Sequence, residues 1–344
     1  MRTPSLTAIL MFAAAIVFVR TPGASAAGEK AAVSPDQCTG SDMLAELAVS
    51  DPAVHSKIIN TAEAIENGKS LFWKVEKSGL APSYLFGTMH VSDSRITAFP
   101  ESVTKAIETS KTVVLEVADL TPEAMAGAIA SSAQLLMYGD GRNLADQLSE
   151  EEYKKVQSLV AGSGIPAGFA KLLKPWLVST LLSASDCERQ QIASGKQVLD
   201  MHVAALAKAS RVPVQGLETA EEQLASLSGV PDDQQIAMLK AGLKYADRRN
   251  DLLETVTQMY LKRRMGAAMP FQIALAEKHG FKAADFAGFE KALLVDRNAR
   301  MSERAQPILA NGGAFIAVGA LHLPGKTGLV ELLRQSGYTV TPGP

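Results

Sequence analysis

Two short stretches with the same layout decide the fold, Tyr84-Leu-Phe-Gly-Thr-Met-His90 and Phe315-Ile-Ala-Val-Gly-Ala-Leu-His322. In each, an apolar run typical of a buried strand leads into a Gly-x-x-His motif. A helical pattern and another strand pattern follow, so each stretch predicts a strand–GxxH–helix–strand unit. Ligands bind at the carboxyl ends of the strands in open α/β sheets, and both histidines are expected there.

Two glutamates occupy similar places on other predicted strands. Glu116 ends a β-branched apolar run, and Glu218 follows the short strand predicted over residues 212–217. An unpaired carboxylate at the end of the apolar strand before Glu116 would be strongly unfavourable. If the four strands are parallel, four side chains can converge at one edge of the sheet: His90, Glu116, Glu218 and His322.

Two histidines and a carboxylate are compatible with two kinds of chemistry. They can hold a divalent metal that activates water, or they can act as a general base and its orienting partner. The simpler alternative is a pair of hydrogen-bonded core histidines, because a single G-x-x-H match is weak evidence. The sequence contains no H-E-x-x-H, C-x-x-C, G-x-S-x-G or P-loop pattern, which leaves the commoner hydrolase and nucleotide-binding mechanisms without support.

The rest of the chain predicts an α/β domain with a mixed or mostly parallel sheet and a large helical insertion. Helix-like spacing dominates about 122–210 and about 220–310, with a break expected near 247–251. Near the end of that region, the pattern predicts two separate helices, over 284–294 and 297–309. Strands at both ends with helices between them are typical of one α/β domain carrying a helical insertion.

The first residues predict export. Residues 1–26 combine Arg2, an apolar run over 8–19 and the small triplet Ala24-Ser25-Ala26, which is the pattern of a secretory signal peptide. This run is shorter than the roughly 20 residues needed to cross a bilayer, so we expect no membrane span after cleavage. Residues 27–69 would form a loosely held N-terminal arm and a short helix. The protein would then be periplasmic or secreted.

Composition excludes several functions. A net charge of −2 with 47% hydrophobic residues indicates a globular protein without the basic surface that binds DNA or RNA. Two cysteines cannot frame a disulfide-rich scaffold or a four-cysteine zinc site. In an oxidising compartment Cys38 and Cys187 predict an intramolecular disulfide, with two buried free thiols as the alternative.

As a set, these motifs resemble the TraB/GumN family, which includes the Tiki proteins. The matching stretches follow one another in consistent order over roughly residues 70–341: Tyr84–His90, Val113-Val-Leu-Glu116, Gly216-Leu-Glu-Thr219, Arg297-Asn298, Val318-Gly-Ala-Leu-His-Leu-Pro-Gly325 and Gly328–Val340. Each stretch is short, and the specificity comes from their combination. The resemblance implies a fold similar to the erythromycin esterase and ChaN-like proteins, an α/β core with helical lobes.

The resemblance also implies an exported hydrolase acting on a small-molecule, peptide or ester substrate. Tiki proteins are described as metal-dependent proteases with paired G-x-x-H motifs and a glutamate, which makes His90, Glu116 and His322 the candidate catalytic residues and metal ligands. Five further residues become candidates for substrate binding or for positioning these groups: Glu218, Arg297, Asn298, Gly87 and Gly319. Esterase relatives use a histidine base without a metal, so the cofactor stays open. The alternative is a non-catalytic envelope protein that binds haem or another small ligand.

Overall fold

The computed structural model describes residues 38–343, and the predicted signal peptide lies outside them. The described chain contains one sheet of six strands: β1 Phe72–Glu76, β2 Ser83–Thr88, β3 Thr112–Leu115, β4 Val214–Gly216, β5 Ala314–Gly319 and β6 Thr339–Pro342. The strand order is β4-β3-β5-β2-β1-β6. Neighbours from β4 to β2 pair in parallel, and β1 is antiparallel to both β2 and β6. The predicted α/β fold with a mixed, mostly parallel sheet is confirmed.

Helices fill the connections and cover the sheet. The helices outside the insertion are α1 Met43–Ser50, α2 Pro52–Glu63, α3 Ser94–Thr97, α4 Glu101–Glu108 and α17 Leu329–Gln335. Between β3 and β4 lie α5 Pro122–Ser131, α6 Ala133–Leu136, α7 Glu150–Gly162, α8 Pro175–Ser183, α9 Asp186–Ala193 and α10 Leu199–Ala209. Between β4 and β5 lie α11 Ala220–Ser228, α12 Asp232–Leu243, α13 Arg249–Leu261, α14 Ala268–Glu277, α15 Ala287–Glu290 and α16 Asp296–Leu309. Short 3-10 turns occur at Leu144–Gln147, Ala167–Leu172, Ala246–Arg248, Met265–Ala267, Ala283–Phe286 and Ala320–His322.

The strands alternate their side chains between two apolar layers, as the pleat requires. Phe72, Phe86 and Phe315 pack together on one face, with ring centroids 6.0 to 6.4 Å apart. Leu85 and Ile316 belong to the opposite layer, which includes residues of α16 and α17. The central strands are therefore buried on both faces, which explains the nearly continuous hydrophobic runs of β2, β3 and β5.

The helical insertion contains an apolar core of its own. This core draws on α7, α8, α11 and α12, with Val156, Leu177, Leu224 and Leu239 among its fully buried side chains. The break predicted near 247–251 is confirmed, because α12 ends at Leu243 and α13 begins at Arg249 after a 3-10 turn. The insertion thus packs as a lobe against the sheet.

The segment before β1 contains two helices. The sequence predicts a loosely held arm and a short helix over 27–69, and within this range the structure has α1 and α2, with Met43 and Leu47 of α1 buried. These two side chains are four residues apart and therefore lie on one helix face. Asp42 caps the helix by accepting from the first backbone N–H groups, and Met43 N–H donates to Thr255 Oγ1 at 2.8 Å.

The structure also differs near the end of the insertion. Residues 287–309 run continuously from α15 through a π turn at Lys291–Val295 into α16, where the sequence predicts two separate helices. A π turn adds one residue to the helical turn, which shifts the face on which the following residues lie. Arg297 and Asn298 follow directly after this shift.

The two cysteines are covalently paired. A disulfide joins Cys38 to Cys187 in α9, so the predicted pairing is confirmed. It links the start of the described chain to the helical insertion. In the stretch from residue 38 to residue 343, no helix is both long and apolar enough to cross a membrane.

Candidate active site

The four side chains predicted at strand ends come together in the structure. His90, Glu116, Glu218 and His322 follow β2, β3, β4 and β5, which are the four parallel strands. A methyl group added to Gly319 would lie 3.2 Å from Glu116 Oε1, 3.5 Å from His322 Cδ2 and 3.9 Å from His90 Nε2. Three of the four groups therefore surround one point, and the absence of a side chain at Gly319 leaves that point open.

His90 is held by a carboxylate from the helical insertion. Its Nδ1 lies 2.6 Å from Asp200 Oδ2, and Thr88 Oγ1 donates to the other oxygen of Asp200 at 2.6 Å. Burial by itself lowers the pKa of His90, but the charge and hydrogen bond of Asp200 outweigh it and raise the pKa to about 9. The ring is therefore fixed in orientation and favours the protonated form.

His322 lies in the opposite environment. Its Nδ1 lies 2.7 Å from Asn298 Oδ1, and Asn298 Nδ2 donates to the Thr327 carbonyl at 2.9 Å. Because Asn298 Oδ1 can only accept, the His322 Nδ1 carries the hydrogen and Nε2 keeps its lone pair. That Nε2 lies 3.5 Å from Glu116 Oε1. Burial lowers the pKa of His322 to about 4, so the ring is neutral at neutral pH.

A buried network of charges holds Glu116. Arg297 Nη2 donates to Glu116 Oε2 at 2.6 Å, and Arg297 Nε donates to Glu218 Oε2 at 2.9 Å. Gln223 Nε2 also donates to Glu116 Oε2, and the Gly319 N–H donates to Oε1 at 2.6 Å. Burial raises the pKa of Glu116, but Arg297 outweighs it and holds that pKa well below its usual range. Glu116 is therefore ionised, with Oε1 directed at the histidines.

Gly87 joins the two Gly-x-x-His loops. A methyl group at Gly87 would come within 2.7 Å of Leu323 Cδ1 and 3.0 Å of the Ala320 backbone. The Gly87 carbonyl accepts from the Tyr260 hydroxyl at 2.8 Å. Close approach of the loops, and not an unusual backbone angle, is the reason that a glycine fits this position.

The site opens into a large cavity. The cavity has a volume of about 630 Å³ and extends from His90, Glu116, Arg297 and His322 into the helical insertion. This volume lies within the range of small-molecule binding sites in proteins. A substrate can therefore reach the converging side chains from the side of the insertion.

The side chains at this site include donor atoms that could hold a metal ion. Metal-bound histidines usually donate their second ring N–H to an acceptor, and both His90 and His322 have such an acceptor at Nδ1. Glu116 fits less well, because Oε2 is occupied by Arg297 and Gln223 and only Oε1 faces the histidines. Within residues 38–343, no three His, Cys, Asp or Glu side chains stand at metal-binding distances. The donor chemistry of two imidazoles fits a divalent metal, and Glu116 Oε1 is the available third donor.

Two charged groups of the site are not among the residues predicted for it. Asp200 contacts His90, and Arg300 Nε donates to Glu218 Oε1 at 3.1 Å. Asp200 stands in the apolar helical pattern of α10, and a charged residue on the buried face of a helix is a usable signal. Arg300 lies three residues after Arg297, the spacing at which two side chains share one helix face.

A family model matches most of the chain. The model describes the TraB/PrgY/gumN family and matches residues 71–342, which include all six strands and the whole site. No solved structure matches the chain. The family is therefore assigned from the sequence match.

Several curated proteins are similar over about four fifths of the chain. Metalloprotease TIKI2 of Danio rerio is 27% identical over 316 residues, covering 79% of this chain and 60% of the relative. Metalloprotease TIKI1 of Homo sapiens is 26% identical over 319 residues, covering 80% and 62%. Uncharacterized protein YbaP of Shigella flexneri is 23% identical over 279 residues, covering 80% and 98%. The chain thus spans about 60% of the length of these two TIKI relatives.

Proposed function

Because the chain belongs to the TraB/PrgY/gumN family, we propose that it is an exported, metal-dependent hydrolase that cleaves an amide or ester bond. The observation that carries this proposal is the convergence of His90 Nε2, His322 Nε2 and Glu116 Oε1 around Gly319. The curated relatives named metalloproteases support the metal and the peptidase class.

The residues have distinct tasks in this proposal. His90 and His322 would hold the metal through Nε2, with Asp200 and Asn298 fixing the two rings at Nδ1. A divalent metal bound there would lower the pKa of a bound water and polarise the substrate carbonyl. Glu116 Oε1 would be the third ligand, and Arg297 keeps Glu116 ionised.

The overall reaction is a hydrolysis. The oxygen of water bonds to the carbonyl carbon, and the bond from that carbon to the leaving nitrogen or oxygen breaks. One proton of the water ends on the leaving group. Because a ligand histidine must be neutral, metal binding at His90 competes with the proton that Asp200 stabilises.

Export is supported by two observations of different kinds. Residues 1–26 read as a signal peptide, and the Cys38–Cys187 disulfide is a bond that persists in oxidising compartments. We expect expression of the full chain in a Gram-negative host to yield mature protein beginning at Ala27 in the periplasm or the medium. Intact mass and cell fractionation measure this, and an unprocessed chain in the cytosol would contradict it.

Three alanine variants test the enzyme proposal. His90→Ala and His322→Ala should each lower bound divalent metal, measured by elemental analysis. They should also reduce hydrolysis of a peptide and ester panel by about 10²–10⁴-fold. His202→Ala is the matched control, because His202 lies in α10 two residues from Asp200 and has no part in the proposed site. The proposal fails if neither site variant changes metal content or turnover relative to His202→Ala.

A non-catalytic ligand-binding function is the second candidate, and the cavity of about 630 Å³ favours it. In that case the cavity would hold haem or another small ligand without turnover. Titration with haem would then produce a Soret shift that His90→Ala or His322→Ala removes. A Soret band that neither variant alters would place haem binding elsewhere.

A further inference from the structure

The cavity has a charged end and an apolar body. Its charged end includes His90, Glu116, Arg297 and His322. Asp200, Glu188 and Arg249 also line the cavity, and most of the remaining wall consists of apolar side chains from the helical insertion. Among these side chains are Leu252, Met269, Phe289 and Leu294. A ligand that fills this cavity from the converging histidines would therefore place a large apolar portion in the insertion.

Three polar side chains along the apolar part of the wall are already hydrogen-bonded within the protein. Thr180 Oγ1 donates to the Trp176 carbonyl at 2.9 Å, and Ser179 Oγ donates to the Pro175 carbonyl at 3.1 Å. Gln235 Nε2 donates to the Val230 carbonyl at 2.6 Å, and Gln235 Oε1 accepts from the Trp176 N–H. A peptide backbone would bring one donor and one acceptor per residue and would have to compete with these bonds. A hydrocarbon chain brings none.

Methionines make part of the wall adaptable. Five line the cavity: Met89, Met125, Met238, Met265 and Met269. The unbranched thioether side chain changes rotamer easily and fills irregular apolar gaps, so methionine-rich surfaces suit flexible apolar ligands. A flexible unbranched chain fits such a wall better than a rigid ring system.

From these observations we infer that the cavity binds a long unbranched acyl chain and that the substrate is an acyl ester or acyl amide. The inference rests on the proposed hydrolase function and adds its substrate class. The acyl carbonyl lies at the converging histidines, and the chain extends into the insertion. Water adds to the carbonyl carbon, the bond to the leaving oxygen or nitrogen breaks, and the products are a fatty acid and the protonated leaving group.

A chain-length series tests the inference directly. We expect kcat/KM for p-nitrophenyl esters to rise by about fourfold for each added methylene until the cavity is filled, because each buried methylene gains a roughly constant free energy. A profile that is flat or falls from acetate to dodecanoate overturns the inference. An apolar heptapeptide that suppresses turnover more strongly than dodecanoate at equal concentration also overturns it.

Filling the cavity tests where the chain binds. Met238→Trp adds bulk in the wall away from the charged end and should shorten the preferred ester by several carbons. Lys244→Trp is the matched control, because it introduces the same side chain at the exposed end of α12 and should leave the profile unchanged. Leu252→Trp makes the same test from α13 if Met238→Trp does not fold, as judged by circular dichroism. Identical profiles for the folded cavity variants and the control contradict the inference.

Binding of dodecanoate separates this inference from the proposed function. Calorimetry should show saturable dodecanoate binding to the wild type and at least tenfold weaker binding to Met238→Trp. If dodecanoate binds in this way but no ester or amide is cleaved, the hydrolase proposal fails and the acyl-binding cavity stands. If esters are cleaved without dependence on chain length and dodecanoate does not bind, the hydrolase proposal stands and this inference fails.

Discussion

The two Gly-x-x-His units share a sequence layout and a place in the sheet, yet their histidines meet opposite environments. The His90 side chain is 24% exposed and its Nδ1 contacts a carboxylate, whereas His322 is 5% exposed and its Nδ1 contacts an amide oxygen. The pKa is raised to about 9 for His90 and lowered to about 4 for His322. The motif therefore determines where each histidine lies, whereas Asp200 of the helical insertion favours the charged form of His90 and burial favours the neutral form of His322.

The largest expected effect concerns the arginine beside the carboxylate that faces both histidines. Arg297→Met should lower the free energy of unfolding by about 3–5 kcal/mol, because it leaves the buried carboxylate of Glu116 without its cation. Arg304→Met is the control, since Arg304 pairs with the more exposed Glu222 and should cost less than about 1 kcal/mol. Urea unfolding at pH 7 measures both. Equal costs would show that the buried network contributes no more than a surface pair.

Changing the partner of each histidine, Asp200 for His90 and Asn298 for His322, should shift its pKa toward that of the other histidine. The raised pKa of His90 stabilises the fold below pH 6.5, and this contribution is lost as the pH rises through about 9. The lowered pKa of His322 works in the other direction: its contribution is present above pH 6.5 and is lost as the pH falls through about 4. Asp200→Asn should remove the alkaline loss, and Asn298→Asp should reduce the acid loss, each on the order of 3 kcal/mol.

Urea unfolding between pH 4.5 and 9.5 measures these two limbs, and NMR titration of the ring protons assigns them. In each variant, the histidine whose partner is unchanged is the internal control, and its pKa should move less than that of the other histidine. If Asp200→Asn leaves the alkaline limb unchanged, Asp200 does not hold the proton of His90.

The disulfide should stabilise the Gly-x-x-His unit of His90 more than that of His322. Gln191 Nε2 lies 3.2 Å from Cys38 Sγ, and the Gln191 Oε1 accepts from Ser92 Oγ, two residues after His90. Cys38→Ala/Cys187→Ala should cost about 2–4 kcal/mol in the free energy of unfolding. It should also speed amide hydrogen exchange at Ser92 more than at Gly319. As a control, reductant should not change the stability of the variant, which has no disulfide. Equal acceleration of hydrogen exchange at the two amides would contradict the difference between the two Gly-x-x-His units.

The smallest effects distinguish the two glycines. Gly87→Ala should cost about 1–3 kcal/mol, because its methyl group would collide with Leu323 and Ala320. Compared with Gly87→Ala, Gly319→Ala should lower the stability less and the activity more, since its methyl group would enter the space between Glu116 and the histidines. Thermal unfolding and hydrolysis rates of both variants check this. Activity that survives Gly319→Ala unchanged would show that the reaction takes place elsewhere.

Much of the fold was predictable because its signals are local. The runs ending at His90, Glu116 and His322 are apolar and partly β-branched over four to six residues, which is enough to identify buried strands. The continuous helix over 287–309 was not predictable, because a π turn keeps the helix going across Lys291–Val295 without a distinct sequence pattern. The sequence predicts one short helix before β1 where the structure has two, because the apolar face of α1 comprises only two well-buried side chains, Met43 and Leu47.

The candidate site was predictable in part for the same reason. His90, Glu116 and His322 could be chosen from their positions after strands, whereas Asp200 could not be assigned to His90. These two residues are 110 positions apart, and Arg297 is 181 positions from Glu116. Such contacts depend on how the helical insertion packs against the sheet, and a short sequence pattern carries no information about that packing.

The sequence by itself determined that polar residues follow four strands, because hydrophobic periodicity and the positions of strand ends are properties of short segments. Only the tertiary structure decided that those strands are parallel neighbours, that Asp200 and Asn298 complete the two histidines, and that the insertion encloses an apolar cavity. The physical reason is that hydrogen bonds, burial and the pKa values they set arise between groups far apart in the chain. Two copies of one motif can therefore carry different charge states.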